Sequence, residues 1–269
     1  MIVHMELPVA PQSYQPPADS LVRAVQRAHV ILARTVTEEE SLDGANVYAC
    51  ADRRDDRSVN FAAELNTPAT GDATVVQSVL DRFAGANCDC HRMMCGAQQW
   101  PQDLADQLGV NGYDPSPRSV HMLSEYTPPQ QLNTELQIIP ARAAYGEMQR
   151  FYQKRPELNE SREQSVIDFL DESRLELFLG RLNRQPVAAV GVLTLGNIGV
   201  IYDPYTDPDY RGRGIGTTMM AHTLDHCRRA QFEQVIIELD PRNPSLPFFE
   251  SIGFKQAATF DVYVRKDLE

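Results

Sequence analysis

The stretch Tyr210–Met220 reads YRGRGIGTTMM. Gly212, Gly214 and Gly216 stand at alternate positions, with Arg211 and Arg213 among them. The strand-like segment IGVIYDPYT comes shortly before, and an apolar, helix-like run follows at once. A strand, then glycines, then a helix is an arrangement that binds anions. The first amides of a helix have no internal partner and point outward. The helix dipole adds partial positive charge at that end, and glycines let an anion approach the backbone without meeting a Cβ. The loop is not a P-loop, because no Lys-Ser or Lys-Thr follows the glycines. Nor is it a dinucleotide fingerprint, which needs Gly-x-Gly-x-x-Gly; here the glycines are evenly spaced.

Around this loop the composition is that of a globular enzyme-sized chain. The 269 residues are 42% hydrophobic and 23% charged, enough for a real core and natural for two domains of about 100–150 residues. A formal net charge of −12 argues against nucleic acid or an anionic membrane as partner, since either favours a basic surface. It suits a cationic or amine substrate. No apolar run approaches the ~20 residues of a membrane span. The segment MIVHMELPVAPQSYQPPADS has no basic region followed by a long apolar one, so no secretory signal is read. Five cysteines without a regular framework fit a reducing compartment, and the expected location is the cytoplasm.

The elements follow from periodicity and punctuation. ADSLVRAVQRAHVILART reads as a helix capped by Asp19 or Ser20. NVYACAD and SVNFAAEL read as strands split by RRDDR, and DATVVQSVLDRFAG as a helix capped by Asp72 or Thr74 and stopped near Gly85. HRMMCGA and SVHMLSEY are strand candidates on either side of the short helix PQDLADQLGVNGY. The polar, proline-bearing segment TPPQQLNTE (Thr127 to Glu135) marks a boundary between domains 1–126 and 127–269. Beyond it come the strand LQIIPA, helices around Ala143–Arg155 and Ser161–Glu172, and three strands from 174 to 206. The glycine loop opens a helix from about Gly214 to Ala230. The strand FEQVIIELD, the short helix SLPFFESIG and the closing strand FKQAATFDVYVRK complete the chain. The two halves share this outline, which points to a tandem duplication.

Arg211-x-x-Gly214-x-Gly216 after a strand ending in x-Pro-x-Tyr resembles the acyl-CoA signature of the GNAT superfamily of N-acetyltransferases. NPSLPFFESIGF, Asn243 to Phe254, is similar to the family's second signature: an Asn, an aromatic residue six positions on, then Gly-Phe. The resemblance covers roughly the last 140 residues and implies several things. The fold is α/β (α+β), two GNAT-like domains, each a mixed, mostly antiparallel sheet flanked by helices. The N-terminal copy is degenerate, having no glycine signature. Acetyl-CoA is the co-substrate: Arg211, Gly212, Arg213, Gly214, Ile215, Gly216 and Thr217 line its pyrophosphate. Tyr205 and Thr206 offer main-chain bonds to pantetheine, and Asn243 and Phe249 lie along the coenzyme arm. Many members carry tyrosine at the position of Phe249, where it protonates the departing thiolate; phenylalanine has no proton to give. Tyr202, Tyr205 or Tyr210 could fill that role, or the thiolate could leave unaided. The amine must lose a proton to attack, and Asp203 and Glu176 are the candidate bases, with Asp207 behind them.

Other constellations carry less. CDCHRMMC brings Cys88, Cys90, His91 and Cys95 together, but not at a standard zinc spacing. Packing as small hydrophobes is expected of these cysteines. His222 and His226 are four apart on a helix without the HExxH glutamate. No metal site is expected. The function expected is acetyl transfer to a primary amine of a small molecule or peptide, bound where the two domains meet; a homodimer is left open. The alternatives are a non-catalytic acyl-CoA-binding or regulatory module, which Phe249 favours, and an interaction protein that recognises a partner through its N-terminal domain.

Overall fold

The computed structural model describes residues 16–66, 75–96, 100–156 and 158–266. In chain order the first half holds α1 (Ala18–Ala33), β1 (Glu39–Leu42), β2 (Ala45–Tyr48), β3 (Phe61–Ala63), α2 (Val75–Gly85), β4 (Arg92–Met93), α3 (Gln102–Val110) and β5 (Tyr113–Leu123). The second holds β6 (Gln137–Pro140), α4 (Tyr145–Gln153), α5 (Glu160–Asp168), β7 (Leu175–Leu182), β8 (Gln185–Leu195), β9 (Ile198–Thr206), α6 (Ile215–Arg229), β10 (Gln234–Leu239), α7 (Leu246–Ser251) and β11 (Phe254–Arg265).

All eleven strands join one mixed, mostly antiparallel sheet in the order β1-β2-β3-β4-β11-β5-β10-β9-β8-β7-β6. The order shows an exchange. β5 of the first half lies between β10 and β11 of the second, antiparallel to both. β11 in turn lies between β4 and β5. Phe260, Val262 and Ala258 of β11 therefore share one core with Tyr48, Phe61 and Val120 of the first half and Leu193, Val200 and Ile236 of the second. α1 covers that shared core through Leu21, Val22, Val25, Ile31 and Leu32. α4 and α5 lie on the same face over β7 and β8. The opposite face is covered by α6 and α7 in the second half and by α2 and α3 in the first.

Some local expectations are corrected. α1 begins at Ala18, one position before Asp19, and its N-cap is Pro17 with no side-chain bond; the Ser20 hydroxyl instead donates to the Pro17 carbonyl at 2.7 Å. The expected caps Asp72 and Thr74 lie outside the described residues. β1 was not expected, because Glu-Glu-Ser-Leu has little strand propensity; it forms at the sheet edge, where Arg34 and Arg82 pair with its two glutamates.

The exchange is fixed by Gly253. Its φ is +105°, and a Cβ there would lie 1.6 Å from the Glu125 carbonyl oxygen just beyond β5. The Gly253 carbonyl accepts from the Ser124 amide at 3.0 Å. Gly253→Ala is expected to cost at least about 3 kcal/mol and to lower Tm by roughly 6 °C or more. Gly85→Ala, where nothing stands within 4 Å of a Cβ, is the control and should leave Tm nearly unchanged. Calorimetric melting of both variants checks this.

Candidate active site

β9 and β10 run parallel only from Ile198↔Gln234 to Ile201↔Ile237. Beyond that point they part, and Tyr202–Thr206 stays paired on the β8 side alone. The parting coincides with a bulge. Tyr202 pairs Gly191 and Tyr205 pairs Ala189, so Asp203 and Pro204 together face Val190. Asp203 takes a left-handed φ of +45°, a conformation that costs energy unless its surroundings hold it. They do. Its carboxylate accepts from the Tyr152 hydroxyl at 2.6 Å and from Arg155 Nη1 and Nη2 at 2.6 and 3.2 Å. The Arg155 side chain is 8% accessible. Both Asp203 oxygens are thus committed to α4 and the residues just after it, and the carboxylate serves the bulge.

The glycine loop follows. Gly212 and Gly214 have φ of +74° and +72°, and a Cβ at either would meet nothing within 4 Å. Gly214 is the N-cap of α6, and no side chain caps the helix. The first helical bond runs from the Thr218 amide to the Gly214 carbonyl at 3.0 Å. The amides of Ile215, Gly216 and Thr217 therefore lie outside the helix's own ladder. The segment before β6 steadies the turn: Asn133 Nδ2 donates to the Arg213 carbonyl at 3.0 Å and its amide to Thr218 Oγ1 at 2.8 Å. Arg211 Nε donates to the Thr206 carbonyl at 3.0 Å. The Tyr205 ring is covered by Arg155 at 4.0 Å and by Arg211 at 5.9 Å. The result is an open, uncapped cradle at the end of a strand with one unpaired edge.

The remaining expected residues fall in different places. Asn243 Oδ1 accepts from the Ser245 amide at 2.8 Å and shapes the turn into α7. Phe249 is 3% accessible and packs edge-on against Phe248 and Phe254 in the α6 core. Phe248 reaches the first turn of α6, 3.7 Å from a Cβ built on Gly216. Glu176 pairs Val192, which pairs Ile201, so it shares the α6 face. It lies 3.5 Å from Arg142 Nη1. Tyr202, one residue on from Ile201, points to the opposite face, where its hydroxyl accepts from Arg162 Nη2 at 3.1 Å. The structure brings Tyr202 and the bulge together and leaves Glu176 behind the sheet. Burial pushes the Tyr202 hydroxyl up to about 12, against the pull of Arg162. His222 and His226 pack against the Phe178 ring. Among the described residues no group of three or more His, Cys, Asp or Glu side chains could hold a metal ion.

A second set of polar residues meets Tyr202 on its face. The β10 residue after Ile237 is Glu238, on the Tyr202 side of the parted strands. His29 of α1 reaches it, with Nε2 2.7 Å from the Glu238 carboxylate. Arg118 of β5 lies 3.5 Å from the same carboxylate. Burial pushes the Glu238 carboxyl up, but His29, Arg92 and Arg118 pull it further down, below the usual carboxylate range. Burial and the charge of Arg92 hold His29 below its ordinary value. At neutral pH the pair is an imidazole donating Nε2–H to a carboxylate. The side chains are still 27% and 18% accessible, so solvent reaches them deep between the halves. The first half is tied to α5 by Arg53, which pairs with Asp168 and donates to Ser165 Oγ at 3.0 Å. The signal for this set was absent from the sequence: His29 and Glu238 stand 209 residues apart.

Residues 142–254 match the model of the acetyltransferase (GNAT) family. That stretch belongs to the GNAT superfamily. A 58-residue segment is 38% identical to the glucosamine 6-phosphate N-acetyltransferase of Trypanosoma brucei brucei, over 22% of this chain and 38% of that enzyme. The chain therefore matches well under half the length of this curated relative. Among solved structures, a GCN5-related N-acetyltransferase from Kribbella flavida superposes with a TM-score of 0.61 at 11% identity, over 94% of this chain and 96% of that one. A tandem GNAT protein from the clavulanic acid biosynthesis pathway superposes at 0.53 and 13% identity, over 76% and 73%. A conserved Staphylococcus epidermidis protein of unknown function superposes at 0.62 and 13% identity, over 86% and 94%. These likenesses show the fold, and the GNAT family generally uses acetyl-CoA. The cradle fits such a donor: three free amides, a helix N-terminus and open space above two glycines accept a pyrophosphate.

Gly214→Glu sets a bulky anion in that space. It is expected to weaken coenzyme A binding at least about a hundredfold, since it removes approach room and adds like charge. Gly196→Glu, at a φ of +60° with nothing within 4 Å of its Cβ, adds the same strain and charge at the β8–β9 turn. It should bind as the unaltered chain does. Calorimetric titration of both variants decides.

Proposed function

We propose that the chain transfers an acetyl group from acetyl-CoA to a primary amine of a small molecule or peptide. The observation that carries this is the parting of β9 and β10, with an anion cradle at one end and the His29–Glu238 pair and Tyr202 on one face. The amine acceptor class is supported by the name of the matched relative, whose stated substrate is an amino sugar.

Acetyl-CoA supplies the activated acetyl group. The amides of Ile215, Gly216 and Thr217 hold its pyrophosphate, and the unpaired edge of Tyr202–Thr206 receives its extended arm as an added strand. The amine enters between α1, α5 and the sheet. His29 takes its proton: Glu238 holds Nε2–H, which leaves Nδ1 as the acceptor, and among the described residues Nδ1 has no protein partner. An imidazole held neutral at pH 7 is suited to that role. Tyr202 keeps its proton at neutral pH and is the donor to the departing thiolate, the role that Phe249, packed in its core, cannot take. Asp203 keeps the bulge that opens the strands, and Glu176, on the far face, has no part in the chemistry.

The sign of the pH dependence follows. A base must be unprotonated, and the His29 value is lowered from 6.5. The acid limb of kcat/KM is therefore expected below pH 6.5, with activity lost as pH falls through it. His29→Gln should lower kcat by about a hundredfold or more and abolish that limb. Glu238→Gln, which accepts and donates where the carboxylate only accepted, should also lower kcat and move the limb. Release of coenzyme A thiol with a panel of amines, read across pH, checks this. Tight coenzyme binding without turnover on any amine would instead favour the binding module.

A further inference from the structure

The face of the sheet that α1 and α5 cover holds more positive charge than its own carboxylates answer. Arg92 of β4 points to the α1 face, since its strand partners Val264 and Phe61 both pack against the core that α1 covers. Its guanidinium lies over the Phe61 ring at 4.9 Å. Nε and Nη2 are both buried and have no hydrogen-bond partner. Among the described residues no carboxylate lies within ion-pair distance of it. Arg162 of α5 gives Nη2 to Tyr202 and lies over the Phe169 ring at 5.6 Å, while its Nη1 is buried without a partner.

These cations feel one another. Burial above all, then the charges of Arg57, Arg162 and Arg118, push Arg92 down to about 10, although Glu238 supports it. Burial works against Arg162 too, but Tyr202, Asp56 and Asp203 together hold it above the usual guanidinium range. The carboxylates in reach are mostly spoken for. Glu238 accepts from His29 and faces Arg118, Asp203 is held by Arg155, and Asp240 pairs with Arg118 and Arg242. Asp56 accepts Ser58 through Oδ1 and keeps Oδ2 buried without a partner. In a chain of net charge −12, two guanidinium groups with orphaned buried N–H atoms on the face covered by α1 and α5 need a reason. Burying such groups unmatched is costly, and guanidinium forks fit carboxylates and phosphates.

We propose that Arg92 and Arg162 bind an anionic group, a carboxylate or a phosphate, on the acceptor, so that the substrate is an amine carrying its own negative charge. This rests on the acetyl-transfer reading for the word substrate, and not for the site itself. The cations anchor the anionic end, which leaves the amine to face His29. Asp56 Oδ2, buried without a partner, can accept a hydrogen bond from a hydroxyl or ammonium of the same ligand.

Two measurements test it. The first needs no turnover. Acetate, glycine and inorganic phosphate are titrated separately into protein saturated with coenzyme A, so that the α6 cradle is already filled, and Tm is followed. At least one anion should raise Tm in the unaltered chain, and Arg92→Met and Arg162→Met should each abolish the rise. The arm that responds tells carboxylate from phosphate. Without any anion, Arg92→Met should melt no lower than the unaltered chain, because an unmatched buried charge has been removed. A lower Tm there, or no response to any of the three ligands, overturns the anion site. The second compares matched acceptors: glucosamine with its 6-phosphate, and an amino acid with its amide. The charged member should be preferred by about a hundredfold in kcat/KM, and Arg92→Met should erase the preference, read as the ratio between the two members of each pair at one pH. Equal turnover of both members sinks this inference and leaves acetyl transfer standing. An anion response in Tm with no acetylation of any amine does the reverse.

Discussion

The exchange of β5 and β11 is the constraint on which the rest of this molecule depends. Each strand completes the other half's sheet, so the core beneath α1 is made of residues from both halves. The cost of bringing such distant strands together rises only slowly with the length of chain between them, while the apolar surface they bury is large. Gly253 is the joint. It gives the tight turn before β11 and leaves room for the carbonyl that follows β5.

From this joining comes the site. A GNAT domain standing alone would have to furnish both the parted strands and the groups that face them. Here the second half parts β9 from β10 through the Asp203 bulge, and the first half brings His29, Arg92 and Arg118 to that opening. The groups are polar and partly buried, and such interactions are worth most where water is sparse. Arg155 and Asp203 illustrate the same economy at the bulge: a strained backbone residue is kept in place because its side chain neutralises a buried guanidinium.

What could be read from the sequence was what the backbone demands. Glycines at 212 and 214 announce positive φ and open space, and both are found. The strands from 174 to 206 and the helix after Gly214 were legible because their apolar periods are long and unbroken. β1 was not, being four residues of mostly polar edge strand. The facing of side chains was legible only in part. Alternation from Ile201 sets Tyr202 on the face opposite Glu176, and the bulge that follows shifts only the residues beyond it. The polar set on the Tyr202 face was illegible because nothing local marks it. His29 looks like any polar position on a helix, and Arg92 like any residue of a short strand. Only the sheet order, in which β11 joins β4 to β5 and β5 joins β11 to β10, brings them to one face.

The place of β11 in the sheet also sets an order of events during synthesis. The strand that separates β4 from β5 is encoded after every other element of the fold. While the chain emerges from the ribosome, β4 and β5 have no strand to lie between them, and the core beneath α1 lacks Ala258, Phe260 and Val262. The first half therefore waits, its apolar face open, until the second has been made. In proteins whose domains close one after another, each is safe before the next begins. Here the core beneath α1 is complete only once β11 has been made, and until then that apolar face is open to solvent.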